Sequence, residues 1–315
     1  MTNLKIVFMG TPEFAVGILE TIVTAQYQVV GVVTAPDRPA GRGQKIRFSA
    51  VKEYAMSQNI PVLQPLNLKD PGFLMELKAL DANLQVVVAF RMLPAVVWQM
   101  PALGTFNLHA SLLPQYRGAA PINWAIINGE QRTGVTTFFI DDKIDTGAMI
   151  LKKETAIGAD EDLGSLHDRL MELGSVAVVE TLALIASGNA EPQKQPETAE
   201  LKAAPKLNRE NTRIDFTQGV REIRNLVRGL SPYPAAWANF VDGKNEHAVK
   251  IFAVNALTEQ HEKAPGTITI AEKRFLIAAA DGIIEITELQ FPGKKRMAAR
   301  DFLNGYPLSP AARAN

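Results

Sequence analysis

Leu4-Lys-Ile-Val-Phe-Met-Gly-Thr-Pro-Glu-Phe14 opens on a short β-branched apolar run and passes through Gly10 into Thr11-Pro12-Glu13. The run reads as a buried strand, and Thr11 followed by proline at the first helical position reads as a capped helix start. A helix over Pro12–Thr24 and a second strand over Val29–Val33 follow. Strands joined through a helix need a crossover connection, so they lie parallel with helices on the sheet faces. The alternation continues, with Ser49–Gln58 and Phe73–Leu80 spaced as helices and Gln85–Ala89 and Thr105–Leu108 as buried strands. The first part is therefore expected to be an α/β domain built on a doubly wound, mainly parallel sheet. Gly10-Thr-Pro-Glu lacks the Gly-x-Gly-x-x-Gly fingerprint, so the first turn gives little support to dinucleotide binding.

Further along, the pattern changes. From Ser187 the chain is polar and proline-bearing without amphipathic period, and residues 189–208 read as a linker between domains spanning 1–188 and 209–315. Beyond one helix, Val220–Leu230, the rest is strand-like: Ala236–Val241, Ala248–Val254, Gly266–Ile270, Phe275–Ala279 and Ile283–Leu289. Short strands with polar turns predict a small barrel or sandwich. Two domains also suit the 315-residue length.

Composition excludes several classes. Apolar residues make up 47% and charged residues 21%, which is globular usage. No cysteine is present, which removes disulfide frameworks, thiolate metal sites and cysteine nucleophiles, and fits a reducing compartment. The opening apolar stretch is too short for a signal-peptide core, and runs such as Val176–Ala186 fall short of a ~20-residue span. A soluble, cytoplasmic protein, with no membrane partner, is the expectation.

The 33 Lys and Arg balance 33 Asp and Glu, so bulk charge alone does not suggest a nucleic-acid partner. The balance is uneven along the chain. Residues 1–190 hold 15 basic against 18 acidic side chains, whereas residues 202–315 hold 17 against 12.

Of four histidines, His109, His167, His247 and His261, no pair has spacing suited to a metal, and no metal is expected. His167 falls in a helical stretch, and His247 and His261 in polar, turn-like contexts that predict solvated rings. His109 ends a buried strand, and Asn107 shares its face about 6–7 Å away. At the carboxyl edge of a parallel sheet, an amide and an imidazole can bind an oxyanion and move a proton. They can equally satisfy backbone groups in the core, and spacing does not separate the two readings.

Two loops raise similar questions. Ile140-Asp-Asp-Lys-Ile-Asp-Thr-Gly147 is an acidic turn after a strand at Val135–Ile140. Its aspartates are either solvated caps or, for Asp145, a group that orients a histidine. Pro36–Arg47 carries Arg38, Arg42, Lys45 and Arg47 against a single acid. It is long for a βα connection, and its guanidinium forks suit phosphate oxygens.

Taken together, Asn107-Leu-His109, Ser111-Leu-Leu-Pro114, Tyr116-Arg-Gly-Ala-Ala-Pro121 and Asp145-Thr-Gly147 resemble the folate-dependent formyltransferases. Phe8–Phe14, the Pro36–Gly43 loop and Ser231-Pro-Tyr-Pro-Ala-Ala-Trp237 extend the likeness over nearly the full chain. They narrow it to the branch acting on initiator methionyl-tRNA. The resemblance implies a Rossmann-like catalytic domain and an OB-like barrel that holds the tRNA. It implies transfer of a formyl group from 10-formyltetrahydrofolate to the α-amino group of the methionyl-tRNA. Catalytic roles map onto Asn107, His109 and Asp145, folate contacts onto Ser111, Leu112, Leu113 and Pro114, and tRNA contacts onto Arg38, Arg42 and Lys45. Asn107 and a protonated His109 would then stabilise the oxyanion, each donor being worth about 3–4 kcal/mol. Asp145 would favour and orient the imidazolium. A monomer is expected.

The chain departs from that pattern at Phe90-Arg-Met-Leu-Pro94, expected beside the pterin pocket, and at Ala110, where a glycine is often found. Formylation of phosphoribosylglycinamide or sugar nucleotides, or hydrolysis of formyl-folate, would use the same triad. From a different class, a nucleic-acid-binding module with an inert sheet edge would share the basic parts.

Overall fold

A computed structural model describes residues 2–40, 45–197, 200–306 and 308–315. The chain divides into two compact units. The first comprises residues 1–121, 132–156 and 167–203, the second residues 122–131, 157–166 and 204–315.

The first unit is organised by the strand Lys5–Gly10, whose Ile6, Val7, Phe8 and Met9 are fully buried. Burial on both faces explains the continuous apolar run. This strand pairs in parallel with Gln28–Val33 on one side and Leu84–Val88 on the other. Val62–Leu63 and Thr105–His109 extend the sheet outward, again in parallel. An antiparallel pair, Arg132–Phe139 and Met149–Ala156, completes seven strands beyond Thr105–His109. The last strand is less visible in the sequence because its outer positions are polar, Lys152–Lys153–Glu154 among them.

Helix starts follow side-chain chemistry. Ser49 caps Ala50–Ser57 by accepting from Lys52 N, and Asp70 caps Pro71–Ala79 by accepting from Phe73 N. The first helix, Glu13–Thr24, differs from expectation: Pro12 rather than Thr11 is its cap residue, and no side chain caps it. The Gly10 turn explains the tight entry, since a Cβ at Gly10 would lie 2.6 Å from the Ala15 Cβ.

Leu163–Ser187 forms one helix of 25 residues, well beyond the helical stretch read around His167. By length and composition alone it could cross a membrane, contrary to the reading of its apolar core as too short, and 44% of that window is buried within the protein. Leu170, Ala177, Val178 and Leu182 supply an inward stripe. Gly174 lets the helix approach the sheet and the Glu13–Thr24 helix, where an added Cβ would meet Leu108 at 2.8 Å and Ile18 at 3.3 Å.

The basic loop after the second strand is a small hairpin rather than irregular chain. Arg38–Ala40 pairs antiparallel with Lys45–Arg47, which sets Arg38 opposite Arg47. Its base is clamped by Lys52, whose Nζ donates to Asp37 (2.5 Å) and Gln64 (2.8 Å).

In the second unit, Ala236–Asp242, Asn245–Leu257, Ile268–Ala271, Arg274–Ala278 and Ile283–Gln290 form one antiparallel sheet. Its edges meet. Arg313–Ala314 pairs with the first of these strands, and Arg313 also bridges Thr267, which leads into the third. The result is a nearly closed barrel around Phe240, Phe275, Ile277 and Leu289, with Val220, Ile223, Val227 and Leu230 of the Val220–Leu230 helix in the same cluster. Two histidines expected in solvent are engaged here. His247 packs at a tilt against Phe291, 4.6 Å between centroids, and His261 Nε2 donates to Gly282 O (2.8 Å) while its Nδ1 accepts from Lys263 N.

Candidate active site

Asn107 and His109 lie at the carboxyl end of Thr105–His109, between a parallel neighbour and an antiparallel one. Two positions apart on a strand, they share a face. His109 is buried. Its Nε2 lies 2.8 Å from the Tyr116 carbonyl oxygen, which can only accept, so Nε2 carries a hydrogen. Nδ1 lies 3.8 Å from Asp145 Oδ2, an ion-pair distance rather than a hydrogen bond. Among the described residues, no group pairs with the Asn107 amide.

Asp145 reaches His109 through an uncommon backbone. Its φ is +56°, in the left-handed region, and Tyr116 has φ +61°. These conformations are uncommon for non-glycine residues and are held by their surroundings. Asp145 Oδ2 accepts from Gly118 N at 2.9 Å. Gly147 is required two residues on, because a Cβ there would overlap the Phe139 carbonyl oxygen.

The Ser111–Pro114 segment is pinned beside this pair. Ser111 Oγ donates to Gln115 O (2.7 Å), and Thr136 Oγ1 donates to Ser111 O (2.7 Å) and accepts from Leu113 N (3.2 Å). Leu112 is half-buried over Gly134, where a Cβ would meet it at 2.6 Å, and Leu113 and Pro114 are buried. Thr136, Tyr116 O and Gly118 N escaped sequence reasoning as partners, although the last two stand within the quoted Tyr116-Arg-Gly stretch.

Farther along the edge, Arg91 donates to the carbonyl oxygens of Pro65 and Leu66. Burial lowers the pKa of its guanidinium, and the nearby charge of Arg38 lowers it further. The departure at Phe90–Pro94 thus belongs to a polar brace that feels the hairpin. Leu66 and Met92 are exposed there. Of the three basic residues expected to touch tRNA, Arg38 is exposed, while Arg42 and the side chain of Lys45 lie outside the described residues. In the second unit, Arg209 and Arg213 lie 4.5 and 5.7 Å from the Trp237 ring centroid, and Arg209, Trp237 and Lys250 line a cavity of about 370 Å³.

Comparison with known proteins also finds two consecutive parts. The profile of the formyl transferase family matches residues 4–182, and that of the formyl transferase C-terminal domain matches residues 206–307. A methionyl-tRNA formyltransferase of Flavobacterium johnsoniae is 60% identical over 313 residues, covering 99% of each chain. One of Bacteroides fragilis is 51% identical over 314 residues, covering 98% of this chain and 97% of that one. Among solved structures, HypX from Aquifex aeolicus in complex with tetrahydrofolic acid aligns with TM-score 0.65 at 18% identity. That alignment covers 96% of this chain and 47% of HypX. An N-formyltransferase from Helicobacter canadensis aligns with TM-score 0.65 at 22% identity, covering 93% of this chain and 100% of that one. These two likenesses concern the fold. With both halves matched in order and relatives of high identity spanning nearly its full length, the chain belongs to the formyl transferase family.

Proposed function

We propose that the protein transfers the formyl group of 10-formyltetrahydrofolate to the α-amino group of initiator methionyl-tRNA, giving N-formylmethionyl-tRNA. One observation carries this reading: 60% identity to a methionyl-tRNA formyltransferase across 99% of both chains. The first unit supplies the chemistry. The barrel strands, which fall within residues 202–315 where basic side chains outnumber acidic ones by 17 to 12, hold the RNA. The sheet edge suits a folate, since it offers an amide at Asn107 that no described residue engages and exposed apolar side chains at Leu66 and Met92.

The folate supplies the activated formyl carbon. The amine nitrogen attacks that carbon and the formyl oxygen takes on negative charge. As the C–N bond to folate breaks, the amine has lost a proton and the folate nitrogen gains one. The Asn107 N–H donates to the developing oxyanion. His109 holds the mobile proton at Nδ1, because Tyr116 O engages Nε2. Asp145 Oδ2, 3.8 Å away, balances the positive charge on the ring. Ser111–Pro114, fixed by Thr136, shapes the folate side of the site.

The test is acceptor competition. Purified protein with formyl-folate is offered methionyl-tRNA, free methionine or an amino-sugar nucleotide, and the formylated product is quantified. Formylation of methionyl-tRNA alone is expected. Preference for the sugar nucleotide, or loss of the formyl group to water without an acceptor, overturns the assignment.

A further inference from the structure

The structure assigns a positioning role to Gln195, a residue of the polar segment after the catalytic sheet: its amide holds Asp145 in the conformation that faces His109. The inference rests on the reading of Asp145 as part of the catalytic set.

Nothing in the composition of Ser187–Leu201 marks Gln195, yet it is only 5% exposed. The segment is registered against the sheet two residues earlier, where Gln193 and Met149 exchange backbone hydrogen bonds of 2.8 Å. Gln195 Nε2 then donates to two carbonyl oxygens, those of Asp145 and Gly147, each at 2.9 Å. Its Oε1 accepts from the Arg117 guanidinium, at 2.6 Å from Nη2 and 3.2 Å from Nε. The residue after Arg117 closes the circuit, because Gly118 N donates to Asp145 Oδ2 at 2.9 Å.

One amide thus links the backbone of the acidic turn to the strand segment that holds its carboxylate. The need for such a link is local. Asp145 adopts φ +56°, a conformation that surroundings must hold in place. Its carboxylate lies 3.8 Å from His109 Nδ1, so a shift of about 1 Å would separate the charges. Misplacement on that scale can cost about a hundredfold in rate.

The experiment compares Gln195→Glu with wild type. Glutamate keeps the side-chain length and an acceptor for Arg117 but removes the N–H donors to both carbonyls. Gln195→Met, which removes every hydrogen bond at similar volume, serves as the second variant if the first does not fold. Single-turnover formylation is expected to slow about ten- to a hundredfold. KM for formyl-folate and for methionyl-tRNA should stay within about twofold, as for an interaction that acts on the chemical step. In an Asp145→Asn background the Gln195 change should lose most of its effect, because coupled residues are non-additive. If Asp145→Asn is slow while both Gln195 variants react at the wild-type rate, the role of Gln195 is overturned and that of Asp145 stands. Equal losses in the presence and absence of the Asp145 carboxylate, or matching rises in both KM values, likewise overturn it in favour of general structural support. A fully active Asp145→Asn enzyme removes instead the catalytic reading of Asp145.

Discussion

The sheet edge of the first unit and the interior of the barrel are built on opposite terms. The barrel interior is a continuous apolar cluster in which Phe240, Phe275, Ile277, Ile284 and Leu289 are almost wholly buried. The sheet edge buries His109, Ser111, Thr136 and Gln195, and places Ala89, Tyr116 and Asp145 at positive φ. Buried polar groups and left-handed backbone each oppose stability unless their partners are supplied. The edge supplies them through side chain–backbone bonds such as Thr136 to Ser111 O and Gln195 to Asp145 O. One region stabilises the fold by burial, and the other uses part of that stability to hold polar atoms in fixed positions.

This contrast makes a division of effects that mutagenesis can break. His109→Ala and Asp145→Ala should each lower kcat by about 10²–10³. Their unfolding midpoints in urea should stay near wild type, and near-normal turnover in both would remove the site from this edge. Phe275→Ala should do the reverse. It empties a fully buried position and should cost about 3–5 kcal/mol in denaturant unfolding. A small cost there would mean that the barrel is loosely packed.

Smaller effects sharpen the comparison at the surfaces. Arg38→Ala combined with Arg42→Ala should raise KM for methionyl-tRNA about tenfold while leaving that for formyl-folate unchanged. It should also reduce the salt dependence of tRNA binding, with the slope falling by about 1 for each lost phosphate contact. Equal losses for both ligands would count against the hairpin as an RNA contact. The smallest expected effect is a pH-dependent one on the barrel wall. The Arg274 Nε–H, 2.7 Å from Glu285 Oε1, holds that carboxyl below its ordinary range, with Asn255 assisting and burial opposing. A lowered carboxyl pKa contributes stability above the unfolded value near pH 4 and loses it as pH falls through the folded value. The stability difference between wild type and Glu285→Gln should therefore be under about 1 kcal/mol at pH 7 and vanish in acid.

Much of this organisation was legible in the residues. Ile6–Met9 announced a strand buried on both faces, and Val220–Leu230 carried its helical period openly. Asn107 and His109 were paired by alternation alone, and Asp145 by resemblance. What the sequence hid was of two kinds. Cross-strand pairing turned the basic Pro36–Arg47 loop into a hairpin, although no strand propensity marks Arg38-Pro39-Ala40. Tertiary partners decided the rest: His247 and His261 stand in polar sequence, yet packing against Phe291 and a bond to Gly282 O engage them. The ring nitrogen available at His109 was equally hidden, because the carbonyl that decides it belongs to Tyr116 and depends on a left-handed φ.

The bond from Gln195 to the acidic turn has a practical corollary for dissection of the protein. Composition invites a cut near residue 188, where the apolar helix gives way to polar chain. A fragment ended there would retain Asn107, His109 and Asp145 but lack the amide that spans Asp145 O and Gly147 O. Its Arg117 guanidinium would lose the acceptor it has in the whole chain. A catalytic fragment for binding or spectroscopic work should instead extend through Ala203, where the first unit ends. Likewise, proteolytic nicking between Gln193 and Gln195 should slow formyl transfer, as the Gln195 variants are expected to, even though none of Asn107, His109 and Asp145 is removed.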